Sequence, residues 1–416
     1  MNKAAFFAPL LRGAIITKTG VPWIVSSVIN TIGNGSQGVN STGQNPSAAL
    51  WVDAGETTAQ DEKTLADIFA KALSSAPLTA ENKIPARICV KSGGEEYHYL
   101  SAPDFAGIEK IRQGAQAEGW DIVPAATHTP CSPISTLAPS RADVVKNRIA
   151  LVTGGAQGFG EELTRGLIAS GALVFIADLN LIGAEKLAQT LNAEYGKPVA
   201  FPAGVNVSDE DSVRAMIENI TLTAGGLDLC VSNAGVLRAA SILEQDIESF
   251  KFVTEVNYTA FAVVSKHCAL LMKRQHAAAP AWTTDIIQIN SKSGLDGSNK
   301  NGSYAGSKFG GIGLVQSFAK ELVEYGIKVN AICPGNFFDG PLWSDPVKGL
   351  FVQYLNTGKV PGAKTVAEVK AFYEAKVPMN RGCTGPDVLR AALYLVEQVY
   401  ETGQALPVTG GQVMLS

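Results

Sequence analysis

Histidine is scarce, four residues among 416, and the six cysteines (Cys89, Cys131, Cys230, Cys268, Cys333, Cys383) stand apart with no C-x-x-C pair. That spacing suggests neither a zinc site nor a disulfide framework, and a reducing cytoplasm fits it best. Charge is sparse as well: 17% of residues are charged, the net charge is −4, and no basic block occurs. Nucleic acid is therefore not an expected partner. No apolar run reaches the roughly eighteen residues of a membrane span. The stretch from Met1 to Arg12 is apolar but short, holds Pro9 and lacks a small-residue cleavage site, so it is not read as a secretion signal.

What remains is a core-forming composition, 46% hydrophobic, in a chain long enough for two domains. Residues 1–125 read as a small α+β or α/β domain whose role the sequence does not disclose. A strand or short helix is expected over 21–32, a helix from Thr64 to Leu73, and a hairpin from Ala86–Val90 and Glu96–Leu100 around Ser92-Gly93-Gly94. A helix from Phe105 to Glu118 and a strand from Trp120 to Val123 complete it. Gly33-Asn34-Gly35-Ser36-Gln37-Gly38 matches G-x-G-x-x-G, with Asp53 downstream, but polar residues 39–46 offer no helix to receive a phosphate. That stretch is read as a loop. Residues 126–146 read as a linker, since Ala125 to Ser140 holds three prolines and no periodicity. His128 and Cys131 within it are two ligands, too few for a metal site.

A second domain, 147–416, opens with an apolar strand, Arg148 to Val152, then Thr153-Gly154-Gly155-Ala156-Gln157-Gly158-Phe159-Gly160 and a helix. Here the glycines sit between strand and helix, where backbone can approach a pyrophosphate facing free helix N–H groups. The next strand, Leu173 to Ala177, ends at Asp178, a carboxylate placed to bind ribose hydroxyls and repel a 2′-phosphate. NAD is expected over NADP. Further strands are expected at Pro198–Val207, Leu227–Ser232, Asp285–Asn290, Ile327–Cys333 and Leu406–Val408. Helices are expected at 181–194, 209–224, 246–273, 304–324 and 386–399. Such alternation predicts a doubly wound parallel sheet.

Ser291 follows the strand Asp285–Asn290, and Tyr304 stands thirteen residues later with Lys308 one helical turn beyond. An ammonium beside a phenol favours phenolate, so this spacing predicts a tyrosine tuned downward for acid/base work.

Together Thr153-Gly-x-x-x-Gly158-x-Gly160, Asn233-Ala234-Gly235, Ser291, Tyr304-x-x-x-Lys308 and Pro334-Gly335 resemble the short-chain dehydrogenase/reductase family over residues 147–416. The resemblance implies a Rossmann sheet with Tyr304 as acid/base and Lys308 lowering its pKa and binding the nicotinamide ribose. Ser291 would hold the substrate oxygen, and Asn257 would anchor a proton-relay water. NAD would be held by Thr153, Gly154, Gln157, Gly158, Phe159, Gly160, Asp178, Asn206, Val207, Asn233, Ala234, Gly235, Pro334 and Gly335, besides Tyr304 and Lys308. Asn206 replaces the usual Asp, and its amide still offers hydrogen bonds. Homodimers or homotetramers through the helices carrying Asn257 and Tyr304 are implied too.

Within that family, Ile286–Gly294, Lys308–Gly311, Lys376–Cys383 and Thr402–Met414 resemble its sorbitol-6-phosphate dehydrogenase branch, which implies oxidation of a sugar-alcohol phosphate to a ketose phosphate with NAD. The N-terminal domain departs from that pattern. Lys292, Arg238, Lys300 and Arg381 are candidate phosphate partners, with Asn336 in the substrate loop. Asp339 and Asp345 in the same loop oppose a dianion if they face inward. Phe337, Phe338 and Trp343 form either a lid or core. Alternatives are a dehydrogenase for an unphosphorylated polyol, an NAD-responsive binding protein, and a bifunctional enzyme whose first domain does separate chemistry.

Overall fold

The computed structural model describes residues 3–19, 24–28, 49–54, 62–75, 87–92, 95–102, 106–111, 143–356 and 358–414. The glycine motif at 33–38, the expected strand at 120–123, most of the 105–118 helix and most of the 126–146 linker lie outside these residues.

The chain begins with helix α1 (Lys3–Thr19), which the sequence reading did not anticipate. Its side chains from Ala5 to Ile16 are buried all round, so no amphipathic period marks it. Strands β1 (Ile24–Val28), β2 (Ala49–Asp53), β3 (Arg87–Ser92) and β4 (Glu95–Ala102) form a sheet in the order β1-β4-β3-β2. Strands β3 and β4 pair antiparallel, as the expected hairpin requires, while β2 joins β3 in parallel. Helix α1 and α2 (Glu62–Ser75) cover one face, burying Phe7, Leu11, Leu65, Phe69, Val90 and Tyr99. Residues 106–111 form a short helix, α3.

Seven parallel strands follow: β5 (Ile149–Thr153), β6 (Leu173–Asp178), β7 (Ala200–Gly204), β8 (Leu229–Ser232), β9 (Thr284–Ile289), β10 (Ile327–Pro334) and β11 (Ala405–Val408). Their order is β7-β6-β5-β8-β9-β10-β11, so the chain reverses direction across the sheet between β5 and β8. A crevice opens at the carboxyl ends of such a reversal. Around the sheet lie α4 (Gly158–Ala169), α5 (Leu181–Tyr195), α6 (Glu210–Ala224), α7 (Ile247–Thr254), α8 (Ala260–Ala278) and α9 (Gly302–Leu322). Strands buried on both faces explain the near-continuous apolar runs of β5 and β6. The expected 246–273 helix is interrupted: Glu255–Thr259 is a π-helical turn between α7 and α8. Three short helices also went unforeseen, α10 (Pro341–Ser344), α11 (Leu350–Asn356) and α12 (Val366–Glu374), before α13 (Gly385–Glu397). Among the described residues no helix is long and apolar enough to cross a membrane.

The N-terminal elements are fastened to the amino-terminal end of the large sheet, away from the crevice. Gly13 lets α1 approach α8, since a Cβ there would stand 2.5 Å from the Gln275 carbonyl oxygen. Beside it Arg12, fully buried, donates to both carboxylate oxygens of buried Asp228 at 2.9 and 2.7 Å. Asp228 also accepts from Ile149 N–H (2.8 Å), Gln275 Nε2 (3.0 Å) and Trp282 Nε1 (3.0 Å). Burial alone would raise this carboxyl, but Arg12, Arg148 and the Ile149 N–H outweigh it and hold it at about 2.

Candidate active site

The glycine loop after β5 takes its shape from two kinds of contact. Gly154 and Gly158 have φ near +60°, the left-handed region. Gly160 lies so close under the loop that a Cβ would meet the Gly154 oxygen at 2.0 Å and Asn233 Nδ2 at 2.7 Å. Thr153 Oγ1 accepts from the backbone of Asn233 (3.0 Å) and Ala234 (3.1 Å), and Asn233 Nδ2 donates to the carbonyls of Thr153 and Gly154. Asn233 thus ties the end of β8 to the loop. Helix α4 starts at Gly158, and its N-cap residue Gln157 provides no side-chain hydrogen bond, so the first-turn N–H groups stay available to an anion.

Asp178 closes the far side. Its Oδ2 accepts from Ala156 N–H at 3.1 Å and its Oδ1 from Asn180 N–H at 2.9 Å, fixing the carboxylate beside the loop. No Lys or Arg pairs with Asp178 among the described residues. Asn206 is exposed and accepts from Ser208 N–H at 3.2 Å, and Val207 lines the crevice floor. The same floor, a cavity of about 10 Å³, is bounded by Thr153, Ala234, Asn257 and Lys308, so the loop and the catalytic candidates share one place.

On the other wall Ser291 follows β9 and Tyr304 lies in the first turn of α9. The Ser291 hydroxyl lies close enough to the Tyr304 phenol to pull its pKa down. Asn290 arranges them: its Nδ2 donates to Gln288 Oε1 (2.8 Å) and the Lys308 carbonyl (2.9 Å), and its Oδ1 accepts from Ser291 N–H (2.8 Å). Sequence reading placed Asn290 only as a strand end; its polar side chain in an apolar run was the available signal. Lys308 Nζ is 5.6 Å from the centre of the Tyr304 ring and donates to the Ile289 carbonyl at 3.0 Å.

The expectation that Lys308 lowers the phenol toward neutrality is not met in this state. Burial pushes Tyr304 up, while the nearby Ser291 hydroxyl pulls the other way. The reason is geometric: the ammonium lies over the ring and spends a donor on Ile289. Burial brings Lys308 itself down to about 8. Cys333, beneath both on β10, is pushed by burial to about 12 and was not singled out from sequence.

Asn257 sits in the π-helical turn, buried. Its Oδ1 accepts from Val236 N–H at 2.8 Å, and its Nδ2 donates to the Val236 carbonyl (2.9 Å) and Ser307 Oγ (3.2 Å). The side chain is therefore committed to structure. Gly235 lies between Asn257 and Lys308: a Cβ there would be 3.3 Å from Asn257 Oδ1 and 3.7 Å from Lys308 Nζ.

The candidate substrate residues divide. Lys292 is half-buried beside Ser291, and its side chain makes no hydrogen bond or ion pair among the described residues; burial pulls its ammonium down, with Asp296 opposing. Arg238 is drawn away, donating to Ser249 and lying over the Phe252 ring. Arg381 is locked bidentately to Asp387 (2.6 and 3.0 Å), and Lys300 is exposed. Asn336 receives Cys383 N–H on its carbonyl at 2.8 Å, and Pro334 ends β10, with Gly335 just after it donating its N–H to Val408. Asp339 pairs with Lys370 at 2.6 Å, and Asp345 accepts from Val347 and Lys348 N–H, so neither carboxylate stands unpaired in the loop. The aromatics split the two readings offered for them. Phe338 and Trp343 pack with Phe351, Tyr354 and Tyr373 in a separate small core, whereas Phe337 stacks on Phe159 of the glycine loop at 4.2 Å.

Residues 148–342 match the family model for short chain dehydrogenases. The chain is 38% identical over 271 residues to a sorbitol-6-phosphate 2-dehydrogenase of Escherichia coli K12, covering 99% of that protein and 64% of this one. It is 33% identical to nodulation protein G of a Rhizobium species, covering 98% of it and 64% of this chain. A crystal structure of sorbitol-6-phosphate 2-dehydrogenase from Erwinia amylovora matches with 40% identity and a TM-score of 0.58, covering all of that chain and 64% of this one.

Proposed function

The chain belongs to the short-chain dehydrogenase/reductase family, an oxidoreductase family that uses NAD(P), and from that premise we propose that it oxidises a sugar-alcohol phosphate to the ketose phosphate with NAD. The observation that carries this reading is the union of a neighbouring Ser291 and Tyr304, Lys308 beneath them, and an uncapped glycine loop walled by Asp178.

The crevice fits a dinucleotide. A side chain at Gly160 would collide with the loop, and the open N-terminus of α4 suits a pyrophosphate. Thr153, Gly154, Gln157, Gly158, Phe159 and Gly160 would line the phosphates, with Asp178 on the adenosine ribose. Asn206, Val207, Ala234 and Gly235 would border the adenine and ribose side, and Pro334 and Gly335 the nicotinamide end. When bound, the cofactor supplies the acceptor for hydride. Every other step belongs to the protein. Ser291 and Tyr304 hold the substrate oxygen from two sides, and Tyr304 takes its proton as general base. Lys308 stabilises the negative charge on the phenolate and, with a value near 8, remains largely an ammonium at neutral pH. Asn257 acts through position, holding the π-helical turn against Val236 and Ser307.

The phosphorylated substrate is supported by the names of the two similar dehydrogenases and by Lys292, a half-buried cation next to Ser291. Kinetics of NADH formation with glucitol 6-phosphate, glucitol and other polyols, in wild type and Lys292→Gln, test this. Glucitol 6-phosphate should give the highest kcat/KM, and Lys292→Gln should lose about tenfold or more of the preference for phosphate, mainly in KM. Equal rates on phosphorylated and free polyols would replace this substrate by an unphosphorylated one.

Assembly belongs to the same proposal. A groove of about 280 Å³ between α8 and α9 is lined by Leu270, Phe318 and Leu322. The N-terminal region meets α8 through Arg274, Gln275 and Ala278, none of which lines that groove. A homodimer or homotetramer through α8 and α9 is thus compatible with the docked N-terminal region.

A further inference from the structure

Strand pairing brings together three ligand-type side chains that lie far from the dehydrogenase crevice. Cys89 on β3 stands directly opposite His98 on β4, and opposed residues in an antiparallel pair project to the same face. Glu96 is two residues before His98, so the period of two puts it on that face as well. The opposite face, with Val90, Tyr97 and Tyr99, is the one packed under α1 and α2. The ligand atoms of Cys89, Glu96 and His98 all lie within 4.8 Å of one another, and His98 Nε2 is 3.8 Å from Glu96 Oε2. We infer that Cys89, Glu96 and His98 form a binding site for a zinc-class divalent metal ion that pins β3 to β4.

The donor set decides the class. A thiolate, an imidazole and one carboxylate suit borderline ions such as zinc or cobalt(II) and not the oxygen-seeking magnesium or calcium. A tetrahedral ion with bonds of about 2.0–2.3 Å keeps its donors about 3.3–3.8 Å apart, so the three groups need close by only about 1 Å. Lys91 pairs with the other oxygen of Glu96, Oε1, at 3.0 Å. That pair is surface-exposed and cheap to rearrange, and it leaves Oε2 directed at His98. Cys89 is buried and His98 retains some exposure, and a water would complete a four-coordinate ion. Sequence spacing hid the set because seven residues separate Cys89 from Glu96 and the match exists only across the hairpin.

The test uses the full-length protein freed of metal and titrated with cobalt(II). A sulfur-to-cobalt charge-transfer absorption should appear at one equivalent, vanish in Cys89→Ser, and require about tenfold more cobalt in His98→Gln. Zinc should raise the melting temperature of wild type clearly more than that of His98→Gln, a readout that stands even if Cys89→Ser does not fold. Absence of the absorption in wild type, or an undiminished zinc shift in His98→Gln, overturns the site. Activity of the dehydrogenase crevice is not part of the readout, so failure here leaves the proposed reaction untouched.

Discussion

At Tyr304 two effects compete, and their balance sets the pH behaviour of the proposed reaction. Burial raises the phenol, so the base form needed for alcohol oxidation is scarce near neutrality. Oxidation should therefore accelerate as pH rises, and ketone reduction, which needs the protonated phenol, should slow. A flat kcat/KM profile for oxidation from pH 6 to 10 would contradict a tyrosine base. Lys308 offers a second test because its charge is buried. Its folded value is about 8 against an ordinary 10.5, so between those values the unfolded chain binds the extra proton and stability rises with pH. Urea titrations of wild type and Lys308→Met should show the wild type gaining on the variant by roughly 3 kcal/mol across that window. A constant gap would mean that Lys308 is not a buried titrating amine. The pairing of Tyr304 with Lys308 was legible as i, i+4. The direction of the phenol's shift was not, because it depends on where Nζ points and on Cys333, contributed by a strand twenty-five residues beyond Lys308.

Among the elements, the β5–loop–α4 unit was the most readable, since each of its glycines answers a local demand that only glycine meets. Gly160→Ala would place a methyl group 2.0 Å from the Gly154 oxygen, a backbone atom that cannot swing aside. The variant should lose NAD binding by at least about tenfold and soften the loop, measurable by dinucleotide titration and by melting temperature. Retained affinity would show that the loop is not the phosphate cradle. Asp178→Ser should shift the ratio of kcat/KM for NAD over NADP toward NADP by about tenfold or more, since in the proposed cofactor pose it removes the carboxylate facing the 2′ position. What the sequence concealed at this scale has physical causes. The π-helical turn at Glu255–Thr259 changes hydrogen-bond spacing without any change in apolar period, so 246–273 reads as one helix. Helices α10 to α12 span only four to nine residues, too few turns for an apolar period to stand out. Helix α1 is apolar on every side, and a uniformly apolar stretch carries no direction.

Across the whole molecule, the N-terminal region and the seven-stranded sheet share a buried ion pair, Arg12–Asp228, that neither part can satisfy alone. Its energetic value lies less in attraction than in the penalty for breaking it, since an uncompensated buried carboxylate costs about 3–5 kcal/mol. Arg12→Met should therefore lower global stability by about that amount and keep a single unfolding transition; a change below about 1 kcal/mol would show that Asp228 finds another partner. Nothing in the sequence couples residues 12 and 228, so the division at residues 125 and 147 missed how the first segment completes the base of the second. The crevice lies at the opposite end of the strands, and in the proposed reaction Tyr304 takes the proton. The most direct measurement is turnover of glucitol 6-phosphate by Tyr304→Phe alongside its NAD affinity. The account predicts a loss of about a thousandfold or more in kcat with NAD binding nearly unchanged; turnover within a few fold of wild type would contradict it.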